Sequence, residues 1–212
     1  MIKTERLSVS LAGSQVVRDV TLEVPAKSAA ALVGPNGAGK TTTLRAIMGL
    51  LKHGGRVQVG GVDATAMGPR ERAMLGLGYS PEDRRLFPSL TVAENLELAV
   101  SALGLPRDRL ELVYGLMPIL KELARRRAGE LSGGQQKLVA LARAMAVGTK
   151  AALLDEVFEG LSPKMRDDVS LIVREFIETA GAAVLMAESN PDYVKFAHVI
   201  YKIQRGVASP LK

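Results

Sequence analysis

The sequence predicts an α/β chain: a parallel sheet flanked by helices, an antiparallel hairpin at its start and an all-helical insertion over 83–146. Three observations carry this prediction. Apolar runs of strand length recur at Ala29–Val33, Ala151–Asp155 and Ala182–Ala187, with helical stretches between them. The first run leads into Gly34-Pro35-Asn36-Gly37-Ala38-Gly39-Lys40-Thr41-Thr42, a G-x-x-x-x-G-K-T loop set between a strand and a helix. From Glu82 to Val147 no convincing strand occurs, and apolar residues follow helical spacing.

Taken in order, residues 2–10 and 16–24 alternate apolar and polar (Leu7, Val9 and Leu11; Val16 or Val17, Val20, Leu22 and Val24) on either side of Ala12-Gly13-Ser14. They read as a hairpin, ended by Pro25. Ala29–Val33 feeds the glycine-rich loop, and Thr42–Met48 follows with apolar residues at helical spacing and Gly49 near its end. Gly54-Gly55 and Gly60-Gly61 bracket a short strand, Arg56–Val59. A helix begins near Pro69, a favourable first-turn residue, and a brief strand over 75–80 stops at Pro81. Helices are expected at 91–100, 107–127 and 133–147, then at 163–180 between the returning strands, with a last strand at Val199–Ile203. The chain is thus expected to be one domain, with a core over 1–82 and 147–212 and a helical part over 83–146.

Composition narrows the function classes. The absence of cysteine excludes disulfides and cysteine-ligated zinc. No apolar run approaches the ~18 residues of a membrane span, and Met-Ile-Lys-Thr-Glu-Arg is no signal peptide, so a membrane role is expected to come through a partner. The net charge of +6 raises the question of nucleic acid, with arginines grouped at 84–85 and 125–127. Four Tyr, four Phe and no Trp are poor material for stacking bases. A basic surface facing water, anionic lipid or an acidic partner is the better reading, and no nucleic-acid partner is expected.

The chemistry gathers in three places. A polyphosphate needs a concave array of backbone N–H donors, which glycine permits by bending tightly without a Cβ; the helix that follows adds its unpaired amides and positive dipole end. Within Gly34–Thr42, Lys40 is placed to reach the β- and γ-phosphates of a nucleoside triphosphate and Thr41 to offer its hydroxyl to Mg²⁺. Ala151-Ala152-Leu153-Leu154-Asp155-Glu156 is an apolar strand ending in two carboxylates, and strand C-termini of a parallel sheet face the ligand crevice. Asp155 then suits Mg²⁺, and Glu156 suits polarising an attacking water. Third, Leu131-Ser132-Gly133-Gly134-Gln135-Gln136 opens a helix, with Ser132 as its cap and two glycines that let an anion approach the exposed amides. One nucleotide does not need two such cradles from one chain; two chains facing head to tail would use both.

Gly34–Thr42, Leu131–Gln136 and Leu153–Glu156, in this order and spacing, resemble the nucleotide-binding subunit of an ABC transporter over essentially the whole chain. The Leu-Ser-Gly-Gly-Gln run is specific to that family, whereas the phosphate loop is shared with kinases, GTPases and helicases. The resemblance implies a P-loop NTPase core of RecA-like fold, ATP and Mg²⁺ as cofactors, and ATP hydrolysis coupled to transport. It further implies a second ABC ATPase subunit, identical or different, that completes the pocket with Ser132, Gly133, Gly134 and Gln135. Permease subunits that grip the helical region at the cytoplasmic face of the membrane are implied too, together with an extracytoplasmic solute-binding protein.

The run Gly78-Tyr79-Ser80-Pro81-Glu82-Asp83-Arg84-Arg85, continuing to Leu96, is similar to the ATPases of branched-chain amino-acid importers and their amide and urea relatives. That likeness puts Glu82 where most ABC ATPases have the glutamine that senses Mg²⁺ and water. Asp83 replaces a glycine of that group, and Ser162 matches its version of the loop after the catalytic glutamate. Three further departures from the wider family stand out: Leu11 at the adenine-stacking aromatic, Val157-Phe158 for Pro-Thr, and Ser189 for the switch histidine. Serine is shorter than histidine by several bonds, so slow turnover at this chain's own site is expected.

Overall fold

The computed structural model describes residues 1–211. β1 (Ile2–Leu11), β2 (Ser14–Val24), β4 (Gly54–Val59) and β5 (Val62–Asp63) form an antiparallel sheet in the order β2-β1-β4-β5. The second sheet combines β3 (Ala29–Val33), β6 (Leu77–Ser80), β7 (Ala151–Asp155), β8 (Ala183–Glu188), β9 (Val199–Gln204) and β10 (Val207–Pro210) in the order β10-β9-β3-β8-β7-β6. All its neighbours run parallel except the edge strand β10.

The helices are α1 (Lys40–Ile47), α2 (Pro69–Met74), α3 (Val92–Ala102), α4 (Asp108–Leu116), α5 (Ile119–Glu122), α6 (Gly133–Val147) and α7 (Pro163–Ala180). Among the described residues no strand lies between Ser80 and Ala151, and no helix is long and apolar enough to cross a membrane.

The parallel strands are apolar throughout because both their faces are covered. Ala29, Ala31 and Val33 join one core with residues of α3, α4, α6 and α7; Ala30 and Leu32 join another with α1 and the antiparallel sheet. The same alternation splits Ala152 and Leu154 from Ala151 and Leu153. The parallel sheet is therefore the middle of three layers.

Most predicted elements occur within a few residues of the expected bounds. The helix expected over 107–127 is broken: α4 ends at Leu116 and α5 begins at Ile119. Pro118 lacks the N–H that would continue the ladder, and Met117 before it is pushed to φ −133°, ψ 72°. Two short strands escaped the sequence, β5 and β10, each reached through a two-residue turn, Gly60-Gly61 and Arg205-Gly206.

Arg72 stands in for a C-cap. It is fully buried, and its guanidinium donates to the carbonyls of Ala46 and Ile47 at 2.8 Å, ending α1. Gly78 fixes where β6 meets α6: a Cβ there would overlap the Ala144 carbonyl oxygen and come within 3.0 Å of the Gly148 amide. Backbone on both sides leaves no flexible group to yield. Gly78→Ala should lower the unfolding free energy by about 1–3 kcal/mol, read as a lower urea midpoint at unchanged slope.

Candidate active site

Three strands of the parallel sheet end side by side, and each hands the chain to a site residue. Val33 is paired with Glu188, and Ala187 with Asp155. The chain therefore leaves β3 at Gly34, β7 at Glu156 and β8 at Ser189 along one edge. Gly34 must be glycine, because a Cβ would overlap the Ile203 carbonyl oxygen of β9. Gly37 and Gly39 have φ of 78° and 108°, which turn the loop back onto α1 and leave its first amides facing outward. Glu156 has φ 49°, a left-handed bend that swings its side chain off the strand line; its N–H is held by the Ala187 carbonyl at 2.9 Å.

Lys40, Glu156 and Ser189 form one connected cluster. The Lys40 ammonium is 3.1 Å from Glu156 Oε1, both side chains being almost fully buried, and it donates to Gly34 O at 2.8 Å and Ser189 Oγ at 2.9 Å. Ser189 Oγ lies 2.6 Å from Glu156 Oε1 and 2.9 Å from Asn36 Oδ1, and its backbone N–H donates to Glu156 Oε2 at 3.2 Å. A hydroxyl has one proton to give, and the charged carboxylate is the stronger acceptor. Burial raises the Glu156 pKa, but hydrogen bonding, from Ser189 first and then Lys40, together with the Lys40 charge outweighs it and holds the carboxyl below its usual range. Glu156 is thus an ionised carboxylate with an orienting serine.

Asp155 is buried beside it. Thr41 Oγ1 donates to Asp155 Oδ1 at 3.0 Å and the Tyr79 hydroxyl to Oδ2 at 3.1 Å. Burial pushes the Asp155 carboxyl up to about 6, against those two hydrogen bonds and with help from the Glu82 and Glu156 charges. Thr41 and Asp155 are hard oxygen donors in contact, which suits Mg²⁺. Among the described residues no group of three or more His, Asp or Glu side chains could cage an ion, so further ligands would come from phosphate and water. Glu82 is exposed and borders the same cleft as Gly37, Gly39, Lys40, Thr41 and Glu156. The cleft thus presents outward-facing amides, a lysine, two hard oxygens and a carboxylate base, a donor set that fits a polyphosphate with its cation.

The Leu131–Gln136 run is elsewhere. Ser132 caps α6 by accepting from the Gln135 N–H at 3.3 Å, while the Gln135 side chain accepts from the Ser132 N–H at 3.1 Å. Ser132 and Gly133 are exposed, and none of these residues borders the cleft of Lys40. Two ties link this helix to the site from behind. Arg84, two residues after Glu82, donates to Gln136 Oε1 at 2.6 Å, and Lys137 donates to the Glu156 carbonyl at 2.6 Å.

Tyr79, Lys137 and Glu188 were not singled out from the sequence. Their roles depend on distances between segments far apart in the chain, and of the three only Tyr79 lay inside a run already marked; Asn36, expected in the phosphate loop, lies 2.9 Å from Ser189 Oγ. Leu11 is exposed at the hairpin end and does not border the cleft, whereas Val16 does. His198, nine residues beyond Ser189, accepts the Ala29 N–H at 3.1 Å and serves the sheet.

Comparison with known proteins gives the same assignment. The ABC transporter family profile matches residues 17–159, more than half of the chain. The "Probable branched-chain amino acid transport ATP-binding protein LivF" of Archaeoglobus fulgidus is 32% identical over 193 residues, 90% of this chain and 82% of that protein. The lipopolysaccharide export system ATP-binding protein LptB of Haemophilus influenzae is 34% identical over 196 residues, 90% of this chain and 80% of that protein. A solved ATP-binding cassette of an ABC transporter, in its ADP conformation, superposes with a TM-score of 0.83 at 27% identity, covering 99% of this chain and 89% of its own. The chain belongs to the ABC transporter family, as one of its ATP-binding, ATP-hydrolysing subunits.

Proposed function

We propose that this ATPase powers uptake of a small solute of the branched-chain amino-acid class, including related amides and urea. The observation that carries the motor half of the reading is the Lys40–Glu156–Ser189 cluster set against Thr41–Asp155 at one sheet edge. Lys40 is placed to hold the β- and γ-phosphates; Thr41 and Asp155, with Glu82 beside them, would hold Mg²⁺, which would supply charge neutralisation at the phosphate oxygens. Glu156 accepts a proton from the attacking water as its oxygen bonds to the γ-phosphorus. The bond to the β–γ bridging oxygen breaks and ADP leaves with that electron pair. Ser189 orients Glu156. It reaches both Glu156 and Lys40 within its own chain, and it does the work of a longer switch residue less effectively.

The cleft of about 310 Å³ is at the small end for ligand sites, and it leaves the outer side of a nucleotide to be covered. We assign that cover to Ser132–Gln135 of a second ATPase subunit, identical or different. Permease subunits would hold the assembly at the cytoplasmic face of the membrane, with a solute-binding protein on the far side. The solute class rests on the run from Gly78 to Leu96 and on the named Archaeoglobus relative. A second reading, a lipopolysaccharide or lipid exporter motor, is favoured by the Haemophilus relative. A third, a subunit that binds ATP for regulation and hydrolyses it weakly, is favoured by Ser189.

Glu156→Gln should cut ATP turnover by roughly 10²–10⁴-fold and retain ATP binding. With Mg-ATP, that variant should elute as a dimer by size exclusion, alone or mixed with its partner ATPase; a persistent monomer in both cases would sink the two-chain pocket. Ser189→His should raise turnover severalfold, and an unchanged or lower rate would remove the slow-site reading. Loss of the gene should abolish uptake of labelled leucine or urea; intact uptake with defective surface lipopolysaccharide would favour the exporter instead.

A further inference from the structure

Glu188 ends β8 directly before Ser189 and is fully buried. Its Oε1 accepts the Phe158 N–H at 3.2 Å, while Oε2, equally buried, has no hydrogen-bond partner among the described residues. The residues on either side of it both bond Glu156: the Ala187 carbonyl accepts the Glu156 N–H at 2.9 Å, and the Ser189 N–H and hydroxyl reach the Glu156 carboxylate, which brings the Glu188 carboxyl close to that of Glu156. Two bare carboxylates so close, one with an orphaned buried oxygen, would combine like-charge repulsion with an unmet desolvation cost. Lys137 is the nearby cation, but its ammonium is spent on the Glu156 and Glu159 carbonyls, and it makes no ion pair with Glu188 among the described residues.

A proton on Glu188 removes both difficulties, since the O–H then has a carboxylate to donate to. Glu156 has room for it: Oε1 takes Ser189 and Lys40, while Oε2 takes only the Ser189 N–H. We propose that Glu188 is a positioning residue for the hydrolytic base: a neutral acid whose hydrogen bond to Glu156 fixes that carboxylate's orientation. The assignment rests on the reading of Glu156 as the base. Titration tendencies agree with the geometry. Burial first, then the Glu156 charge and hydrogen bond, push Glu188 up to about 9 against the Phe158 N–H and Lys137.

Glutamine separates this role from a need for charge, because its NH₂ can donate to Glu156 while its oxygen keeps the Phe158 N–H. In steady-state hydrolysis by the full chain at neutral pH, Glu188→Gln should stay within about twofold of the parent. Glu188→Met should lower kcat roughly 10–100-fold with KM for ATP unchanged. Glutamine as damaging as methionine, or methionine as active as the parent, would overturn the proposal.

Should the methionine variant fail to fold, melting curves decide. A carboxyl whose folded pKa is raised contributes stability that is full below its unfolded value of 4.5 and lost as pH rises through about 9. The parent should therefore lose melting temperature across that window relative to Glu188→Gln. Glu156, Lys137 and, through Glu156, Lys40 are common to both chains. Parallel pH curves would overturn the neutral-acid assignment. A Glu156→Gln chain that still turns over would defeat the base itself, whatever Glu188 does.

Discussion

The constraint on which the site depends is the parallel register of β3, β8 and β7. Parallel neighbours all leave the sheet at the same edge, and the pairings Val33–Glu188 and Ala187–Asp155 put the three exits side by side. Residues more than a hundred positions apart thereby come within a hydrogen bond: Lys40 to Ser189, and Thr41 to Asp155. A one-residue slip of β8 would turn every one of its side chains to the other face and carry Ser189 away from Glu156. Packing on both faces of β8 opposes such a slip, since one core claims Val184 and Met186 and the other Ala183, Leu185 and Ala187.

That edge also gathers charge where burial makes it expensive. Lys40 and Glu156 are each nearly inaccessible, and removing one partner of such a pair typically costs about 3–5 kcal/mol because the other is stranded. The structure meets the cost with hydrogen bonds rather than with more counter-charge. Lys40 reaches two loop carbonyls and a hydroxyl, and Asp155 is met by a threonine and a tyrosine. Donors and acceptors fixed by the sheet need little rearrangement when charge develops on a phosphoryl group, which is where preorganised sites gain most. Stability and catalysis thus draw on the same geometry.

Much of this was legible in the sequence, because it was written in local patterns. The strand–loop–helix around Lys40, the apolar strand ending in Asp155-Glu156 and the Ser132 cap each occupy fewer than about twenty consecutive residues. What escaped was set by proximity in space. Nothing near Tyr79 announces that its hydroxyl meets Asp155, and nothing near Lys137 announces the Glu156 carbonyl. The edge strand β10 was missed because Val207–Pro210 is short, mostly exposed and carries a proline, tolerable only where one side is unpaired. The break at Pro118 was readable from chemistry, yet the apolar spacing on both sides concealed it.

The Ser132 cap lies outside the cleft its own chain builds. A helix start with two glycines is a poor choice for stability alone, since glycine costs about 0.5–1 kcal/mol against alanine in a helix. At Gly134 a Cβ would come within 2.7 Å of Met165 on α7, but at the movable end of that side chain, so the packing demand is small. Gly133 has no such neighbour: the nearest would be an arginine tip at 3.6 Å, and the residue is exposed. Its bare backbone is best explained by something that approaches α6 from outside. The ties from α6 to Glu156 through Lys137, and to the loop after Glu82 through Arg84, then connect that outer face to the cleft behind it.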